Sequence, residues 1–369
     1  MNDGWMIGLV LLIMVPVVLI TTIVPYITRR IESFGVTIPE EAQDDAEIIA
    51  LKKQYVWLNG GLGALVTASL LVCSTMLTNE TTWSVLLLAH LFGYIIVSFA
   101  IYLKQHNAVK ALKKRKQWLN PSVQRVVIDT SFRRRNLTVS YFWFIPHILL
   151  IIGTALTGVL GYEHFPEIIP LKYNLSGEVI NSAAKSYSSV LWPVVTQSVL
   201  LIIFIFVHYT IGRSKQLIES SDPEGSLQRN ILFRRRWSAF MMISSFLFTA
   251  LFFFIQLRWL LGWNGIEQTI APLAVTGFLI IGSIVLTVTT GQGGSRIKMA
   301  YGAQGKSAPA ADLDQYWKLG IIYFNPKDPA LFVEKRFGVG MTMNFGRPTA
   351  WIVIVAIIAL PLVMRLLFK

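Results

Sequence analysis

Three histidines, His90, His147 and His208, stand inside long apolar runs of the sequence. Three imidazoles brought together could hold zinc. No HExxH pair occurs to put two of them on one helix face. Each is therefore read as a neutral partner in an interhelical hydrogen bond, and no metal or other cofactor is expected. His147 follows Pro146, whose missing N–H frees backbone carbonyls that could accept the imidazole proton. Gly302-Ala-Gln-Gly-Lys306-Ser307 follows the outline of a phosphate loop, but Ala300 stands where the first glycine belongs and no strand pattern precedes it. Nucleotide binding is rejected on that ground, and no GxSxG elbow offers a nucleophile. Cys73, the single cysteine, can form neither an intramolecular disulfide nor a thiolate cluster; packing between helices is the role expected of it. What is left for an enzyme is Asp314, Asp328, Lys335 and Arg336, which could contact a lipid headgroup. The plainer reading is that Asn325 to Pro329 builds a turn and that Lys335 and Arg336 face lipid phosphate. The chain is read as non-enzymatic.

The elements that position these groups belong in lipid. Apolar and aromatic residues make up 54% of the 369 and charged ones 14%, about half the ~25% of a soluble domain. Mean hydropathy is +0.56. Too little charge remains to coat a soluble protein of this size, and 22 Phe, 12 Tyr and 11 Trp exclude a disordered one. A bilayer-spanning helix needs about 20 mostly apolar residues. Eight stretches qualify: 5–27, 55–77, 84–103, 141–160, 190–211, 237–257, 270–290 and 348–368. The first is not read as a secretory signal peptide, because nothing basic precedes it and no small-residue cleavage site follows. The expected fold is an all-α polytopic membrane protein of about eight transmembrane helices, with a small β-rich cytoplasmic segment before the last helix. No Asp or Glu lies within the eight stretches, which argues against a proton-coupled pump. Arg258 and Arg365 lie near span ends, where they can snorkel. Asn59, Gln197 and Gln256 are read as interhelical glue.

Charge assigns the two faces. Of 33 Lys and Arg, 28 fall in segments 28–54, 104–140, 212–236 and 291–347, together with 14 of the 20 acids. The net +13 therefore divides into +14 on one face and −1 on the other. The positive-inside bias makes the basic face cytoplasmic and both termini external. The excess reports orientation beside anionic lipid, and nucleic acid is not expected as a partner. Trp83, Trp143, Trp192, Trp237, Trp259 and Trp263 fall near span ends, as interfacial anchors should. Five regions follow. They are 1–140, three helices with a basic loop; 141–211, two helices around an external loop; 212–290, two helices; 291–347, an aromatic cytoplasmic segment; and 348–369, the last helix.

The loops differ in character. Segment 28–54 reads as an amphipathic cytoplasmic helix leading into the second span, and 115–140 as a helix on the membrane surface. The external loop 161–180 is braced by Pro166 and Pro170, which fix φ and prevent a helix. Leu171-Lys172-Tyr173 suits a short strand, and Asn174 and Gly177 suit a turn. An ordered external loop of this kind is either a binding surface or a rigid connector. Gly291-Gln-Gly-Gly-Ser reads as a flexible hinge. Beyond it, 321–324, 331–334 and 341–345 suit short strands with turns at Gly338 and Gly340, a compact cap on the inner leaflet.

The external loop resembles the DUF1648 family on Pro166, Ile169, Pro170, Tyr173, Asn174, Gly177 and Glu178, with Lys172 where that family usually carries His. The inner segment resembles the DUF5808 family on Tyr316-Trp317-Lys318, Tyr323, Asn325-Pro326, Asp328-Pro329, Leu331-Phe332-Val333, Lys335-Arg336, Gly338, Gly340, Thr342, Asn344-Phe345 and Arg347-Pro348. The DUF1648 loop also occurs in membrane proteins similar to the immunity protein for the sporulation-delay toxin of Gram-positive bacteria. That resemblance implies a bacterial plasma membrane and two coupled roles: protection against a secreted toxin, and signalling of the toxin to a cytoplasmic regulator. The candidate ligand-binding residues are Pro166, Pro170, Lys172, Tyr173, Asn174, Gly177 and Glu178 outside. In the cap they are Asp314, Tyr316, Trp317, Asn325, Asp328, Phe332, Lys335, Arg336 and Asn344. The partners expected are the anionic inner leaflet, an extracellular peptide and a cytoplasmic regulator. The alternative is a transporter or export component for a peptide or hydrophobic substrate, motivated by Pro16, Pro146, Pro193 and Pro272 as helix breaks that could line a path.

Overall fold

The computed structural model describes residues 3–77, 79–118, 136–174, 177–216, 222–263, 267–298 and 313–367. Eight long helices carry it: α1 (Asp3–Ile27), α2 (Ala46–Met76), α3 (Glu80–Arg115), α4 (Ile145–Leu160), α5 (Tyr187–Arg213), α6 (Pro223–Leu261), α7 (Glu267–Thr290) and α8 (Pro348–Leu367). Seven are long and apolar enough to cross a membrane, the fourth span including the tight turn Tyr141–Phe144 ahead of α4. The eighth, α8, is an apolar helix of 20 residues. α2, α3 and α6 run to 31, 36 and 39 residues. At 1.5 Å per residue they outreach a hydrocarbon core of about 30 Å, so their ends project beyond it. Leu65, Ile96, Leu149, Ile202 and Ile352 are exposed on the helix flanks, where lipid solvates them.

Local chemistry sets the helix ends. The side chains of Asp45, Asn79 and Asp222 accept backbone N–H bonds from Glu47, Thr82 and Gly225 at the starts of α2, α3 and α6. Gly262, with φ +64°, ends α6 in a left-handed conformation that only glycine takes cheaply. None of the four prolines interrupts a helix. Pro16, Pro193 and Pro272 lie inside continuous helices, and Pro146 stands in the first turn of α4, where a backbone N–H has no partner to lose. The discontinuous helices expected at these positions are not found.

α1 packs on α2 and α7, α2 on α3, α4 to α6 on one another, and α7 on α6. Polar side chains join them within the bundle. Gln197 donates to Thr154 Oγ1 (3.0 Å) and to the Thr249 carbonyl (2.8 Å), Gln256 to the Val190 carbonyl (2.9 Å), and Ser98 to Asn59 (2.5 Å). His147 Nε2 is 3.3 Å from the Met242 carbonyl on α6, and His208 Nε2 is 3.0 Å from the Val139 carbonyl. His147 thus meets a carbonyl on another helix, that of Met242, as well as the backbone of Trp143 in the turn before Pro146. His90 bonds Leu86 O in its own helix and Ser69 on α2. Among the described residues no group of His, Cys, Asp and Glu could hold a metal ion. Of the tryptophans, Trp143 and Trp263 are exposed at span ends, whereas Trp83 and Trp259 are buried, Trp83 donating its indole N–H to Ser74 (2.9 Å).

Two loop expectations change, and a third falls mostly outside the described residues. Segment 28–54 is α-helical only from Ala46 onward. Before that come a hairpin, β1 (Glu32–Ser33) and β2 (Val36–Thr37), and a tight turn, Glu40–Asp44. Phe34 and Gly35 occupy the hairpin turn with φ of +46° and +75°, and Phe34, Val36 and Ile38 are buried rather than laid on a membrane. The run from Gly291 is a built turn rather than a flexible hinge. Gly291, Gly293 and Gly294 all have positive φ; a Cβ on Gly293 would strike the Arg29 guanidinium, and one on Gly294 the Arg229 carbonyl. Of the surface helix expected over 115–140, α3 ends at Arg115 and residues 136–140 are not helical; residues 119–135 and the 302–307 glycine run lie outside the described residues.

The segment before α8 is the expected β-rich cap. It holds two antiparallel hairpins, β5 (Trp317–Lys318) with β6 (Ile322–Tyr323), and β7 (Phe332–Glu334) with β8 (Met341–Met343). Trp317, Tyr323 and Val333 form its core. The ends of α1, α3, α5 and α7 and the starts of α2, α6 and α8 all meet at this cap. A third hairpin, β3 (Ile168–Tyr173) with β4 (Val179–Ala184), lies at the opposite end between α4 and α5. The described parts of the four basic segments therefore share one end of the bundle.

Candidate functional site

The β3–β4 hairpin is fixed from below. Phe165 and Ile169 are buried against Val190 of α5 and Trp259 of α6. Tyr162 and Tyr187 stack at 4.1 Å across the base, and the Lys185 ammonium lies over the Tyr162 ring. Tyr173 is half-buried with its hydroxyl bonded to Trp259, and burial pushes that phenol above its ordinary range. The hairpin tip closes on itself. Asn174 donates to the Glu178 carboxylate (2.7 Å) and accepts the Glu178 N–H (2.8 Å), while Gly177 takes φ +83°. Asn174, Gly177 and Glu178 thus build the turn. Pro170 stands on β3 opposite Ser182, tolerable because β3 has a free edge. Pro166 and Lys172 are exposed.

The surface offered outward is one that sequence reasoning missed. The sheet has only two strands, so each presents a row of unpaired backbone groups. The register slips once on each strand, after Pro170 and between Asn181 and Val179, leaving Leu171 and Ile180 outside the pairing. Leu171, Ile180, Ile168 and Val179 are all exposed. Bulges put Leu171 and Ile180 outside the regular alternation, and the sequence pattern alone could not signal it.

The opposite end is governed by buried charge. The Glu334 carboxylate pairs with Arg29, just past the end of α1, and with Arg234 of α6 (3.3 Å), and accepts from Asn230 (2.7 Å). All are buried. Arg234 also donates to the carbonyls of Ile211 (2.7 Å) and Ser214 (3.1 Å), spreading its charge onto the C-terminus of α5. A second cluster joins the two ends of the sequence. Asp314 pairs with Arg336 and with Lys113 of α3 (2.7 Å) and accepts from Thr37 on β2 (3.1 and 2.9 Å). Burial raises the Asp314 pKa, but the Arg336 guanidinium and Lys113 outweigh it and hold the carboxyl at about 2. Arg336 is buried over the Trp317 ring and also faces Glu32. It does not reach lipid phosphate as expected. Burial pushes the Lys335 ammonium down.

The remaining cap residues hold the cap together. Asn344 donates to the carbonyls of Asn325, Asp328 and Ala330 and accepts the Asn325 N–H. Asp328 accepts from Lys215 (2.6 Å) and from the Tyr323 hydroxyl (2.8 Å). Burial raises its pKa, and these bonds with the Ala330 N–H bring it below the ordinary value. Tyr316 packs edge-on against Tyr323, and Phe332 against Phe206 of α5. Gln292, fully buried, donates to the carbonyls of Lys335 (3.0 Å) and Gly340 (2.9 Å) and accepts the Gly340 N–H (2.7 Å). At the tip, the Tyr102 hydroxyl of α3 reaches the carbonyls of Phe34 (3.2 Å) and Leu319 (2.9 Å), clasping the β1–β2 and β5–β6 turns together. Asp314, Trp317, Asn325, Asp328, Arg336 and Asn344 are therefore brought together as one docked unit. Arg29, Lys113, Arg234 and Gln292, which anchor it, carry no local sequence signal.

Two family models match the chain. Residues 149–196 match DUF1648, a domain of unknown function; they comprise most of α4, the outer hairpin and the start of α5. Residues 326–351 match DUF5808, a family of unknown function; they run through β7 and β8 into α8. No curated protein and no solved structure matches the chain.

Proposed function

We propose that this multi-pass membrane protein, carrying DUF1648 and DUF5808 segments, is a non-enzymatic receptor for an extracellular peptide, serving toxin or antimicrobial-peptide immunity or envelope sensing. The observation that carries the reading is the β3–β4 hairpin, anchored by Ile169 and Phe165 while both strand edges and Ile168, Leu171, Val179 and Ile180 stay exposed. A peptide recognised there adds main-chain hydrogen bonds along a free edge and packs apolar side chains on the bulges. The positive-inside bias supports a cytoplasmic basic end in a bacterial plasma membrane, beside anionic lipid and within reach of a cytoplasmic regulator. The transporter alternative lacks the discontinuous helices that motivated it. The test is photocrosslinking from Leu171 and Ile180 in cells exposed to secreted toxins and cationic peptides, with sensitivity measured beside a deletion strain. Crosslinks to one peptide and raised sensitivity on deletion are expected. No crosslink and unchanged sensitivity across the panel would refute the proposal.

A further inference from the structure

The outer face of the cap sorts its charges by sign. Every acid of the described cap turns inward into an ion pair: Asp314 to Arg336 and Lys113, Asp328 to Lys215, and Glu334 to Arg29 and Arg234. Lys318 and Lys327 turn outward and are exposed. Between them the β5–β6 hairpin alternates. Tyr323 is buried in the cap core, while Ile322 and Phe324 on either side of it are 38% and 44% exposed. Leu319, in the turn with φ +54°, is 47% exposed. The outer face is therefore apolar at its centre and cationic at its rim.

Its depth can be read from α3. The Leu319 carbonyl accepts from the Tyr102 hydroxyl at 2.9 Å, and a Cβ on Gly320 would touch both Tyr102 and His106. Tyr102 lies two residues before Lys104, the first cation of α3. From Glu80, the helix start, to Tyr102 the rise is about 33 Å, which matches a hydrocarbon core of about 30 Å. The Leu319 turn is thus held at the boundary between acyl chains and headgroups. Exposed Leu, Ile and Phe at that depth, flanked by lysines and with no outward acid among the described cap residues, have the chemistry of a membrane-surface contact.

We propose that this face of the cap is a lipid-binding surface: Leu319, Ile322 and Phe324 enter the leaflet boundary, and Lys318 and Lys327 take phosphate oxygens of anionic phospholipids. The cap would then read the leaflet's headgroup charge directly through its β5–β6 hairpin. The headgroup assignment rests on the basic end facing an anionic leaflet; it does not rest on the peptide-receptor reading.

The test uses the full chain with Cys73 replaced by Ala. Single cysteines at Ile322 and Phe324, and at the exposed Asp44 as a control, carry an environment-sensitive dye. The protein is placed in nanodiscs of phosphatidylglycerol or of phosphatidylcholine, whose two leaflets are alike, so the outcome does not depend on which end is cytoplasmic. Blue-shifted emission at 322 and 324, quenching by lipids nitroxide-labelled near the headgroup, and loss of iodide quenching relative to 44 are expected. The shift should be larger in phosphatidylglycerol, and K318A/K327A should remove the difference. Free iodide access at both positions, with no lipid quenching, would overturn the proposal and leave the patch to an acidic, apolar protein partner. Shielding from both quenchers would overturn it as well, in favour of a second copy of the chain. Equal shifts in the two lipids would refute the headgroup assignment.

Discussion

Replacing Glu334 by Gln removes one negative charge from a pocket that holds two guanidinium groups. Arg29 and Arg234 are both buried, and Glu334 is the carboxylate they share. Breaking a buried ion pair by neutralising one partner costs about 3–5 kcal/mol. Here two cations lose the same counter-charge, so the cost belongs at the upper end of that range. Glutamine keeps an oxygen for Asn230 but cannot offset the mutual repulsion of the arginines. The strain falls on cap docking first, because β7 carries the residue while its partners sit on α6 and in the loop just after α1. The assay is limited trypsin digestion of the purified protein in nanodiscs, read at Arg336, which docking buries. E334Q should cut there far faster than wild type and should unfold at a lower denaturant midpoint. In a cycle with Arg29→Gln, the pair should couple by roughly 1–3 kcal/mol. Unchanged digestion, with a midpoint within about 0.5 kcal/mol of wild type, would refute the reading of Glu334 as the charge that seats the cap.

Other predictions concern the same seam. Gln292→Ala removes the Gln292 bonds to the Lys335 and Gly340 carbonyls and to the Gly340 N–H, leaving the Gly340 carbonyl only its bond from the Lys335 N–H, and should cost about 2–4 kcal/mol of stability, measured by chemical denaturation. Gly35→Ala puts a Cβ 2.5 Å from the Gly320 carbonyl oxygen, whereas Gly338→Ala meets nothing within 4 Å. The Gly35 variant should therefore lose well over the ~1 kcal/mol of left-handed backbone strain that Gly338→Ala incurs, and equal thermal shifts would count against the clasp. Asp314 has a folded pKa of about 2 against an ordinary 3.8. Its contribution is complete above pH 4 and is lost as pH falls from about 4 to 2. Cap protection from an acid-active protease should weaken over that window in wild type, and Asp314→Asn should reduce the pH dependence, the remainder coming from Asp328.

The membrane helices were legible because lipid imposes a single requirement, about 20 apolar residues without acids, that a sequence states locally. The outer turn was legible as well, since Asn174 and Gly177 are turn residues by their own chemistry. The β1–β2 hairpin was not. Its strands are two residues long, and Phe34-Gly35 lacks the Asn-Gly or Asp-Gly signature of such turns. Glycine gives the same signal for freedom as for close approach, so Gly293, pressed against Arg29, read as a hinge. The cap residues were found as a group, but their role was hidden. Asp314, Arg336 and Asn344 look like ligand contacts until their partners, Lys113, Glu32 and three cap carbonyls, are known. Charges such as Arg29 and Arg234 read as topological anchors at helix ends, and their pairing with Glu334 spans most of the chain.

That span has a consequence for biosynthesis. Arg29 leaves the ribosome about 305 residues before Glu334, a delay of roughly 15–60 s at about 5–20 residues per second. Arg29 waits through that interval and Arg234 through its last third, both for a carboxylate not yet translated. The seam can close only after β7 has been made, so this end of the bundle assembles late relative to its first helices. A chain cut short before β7 would keep Arg29 and Arg234 without Glu334, a defect that membrane quality control can recognise.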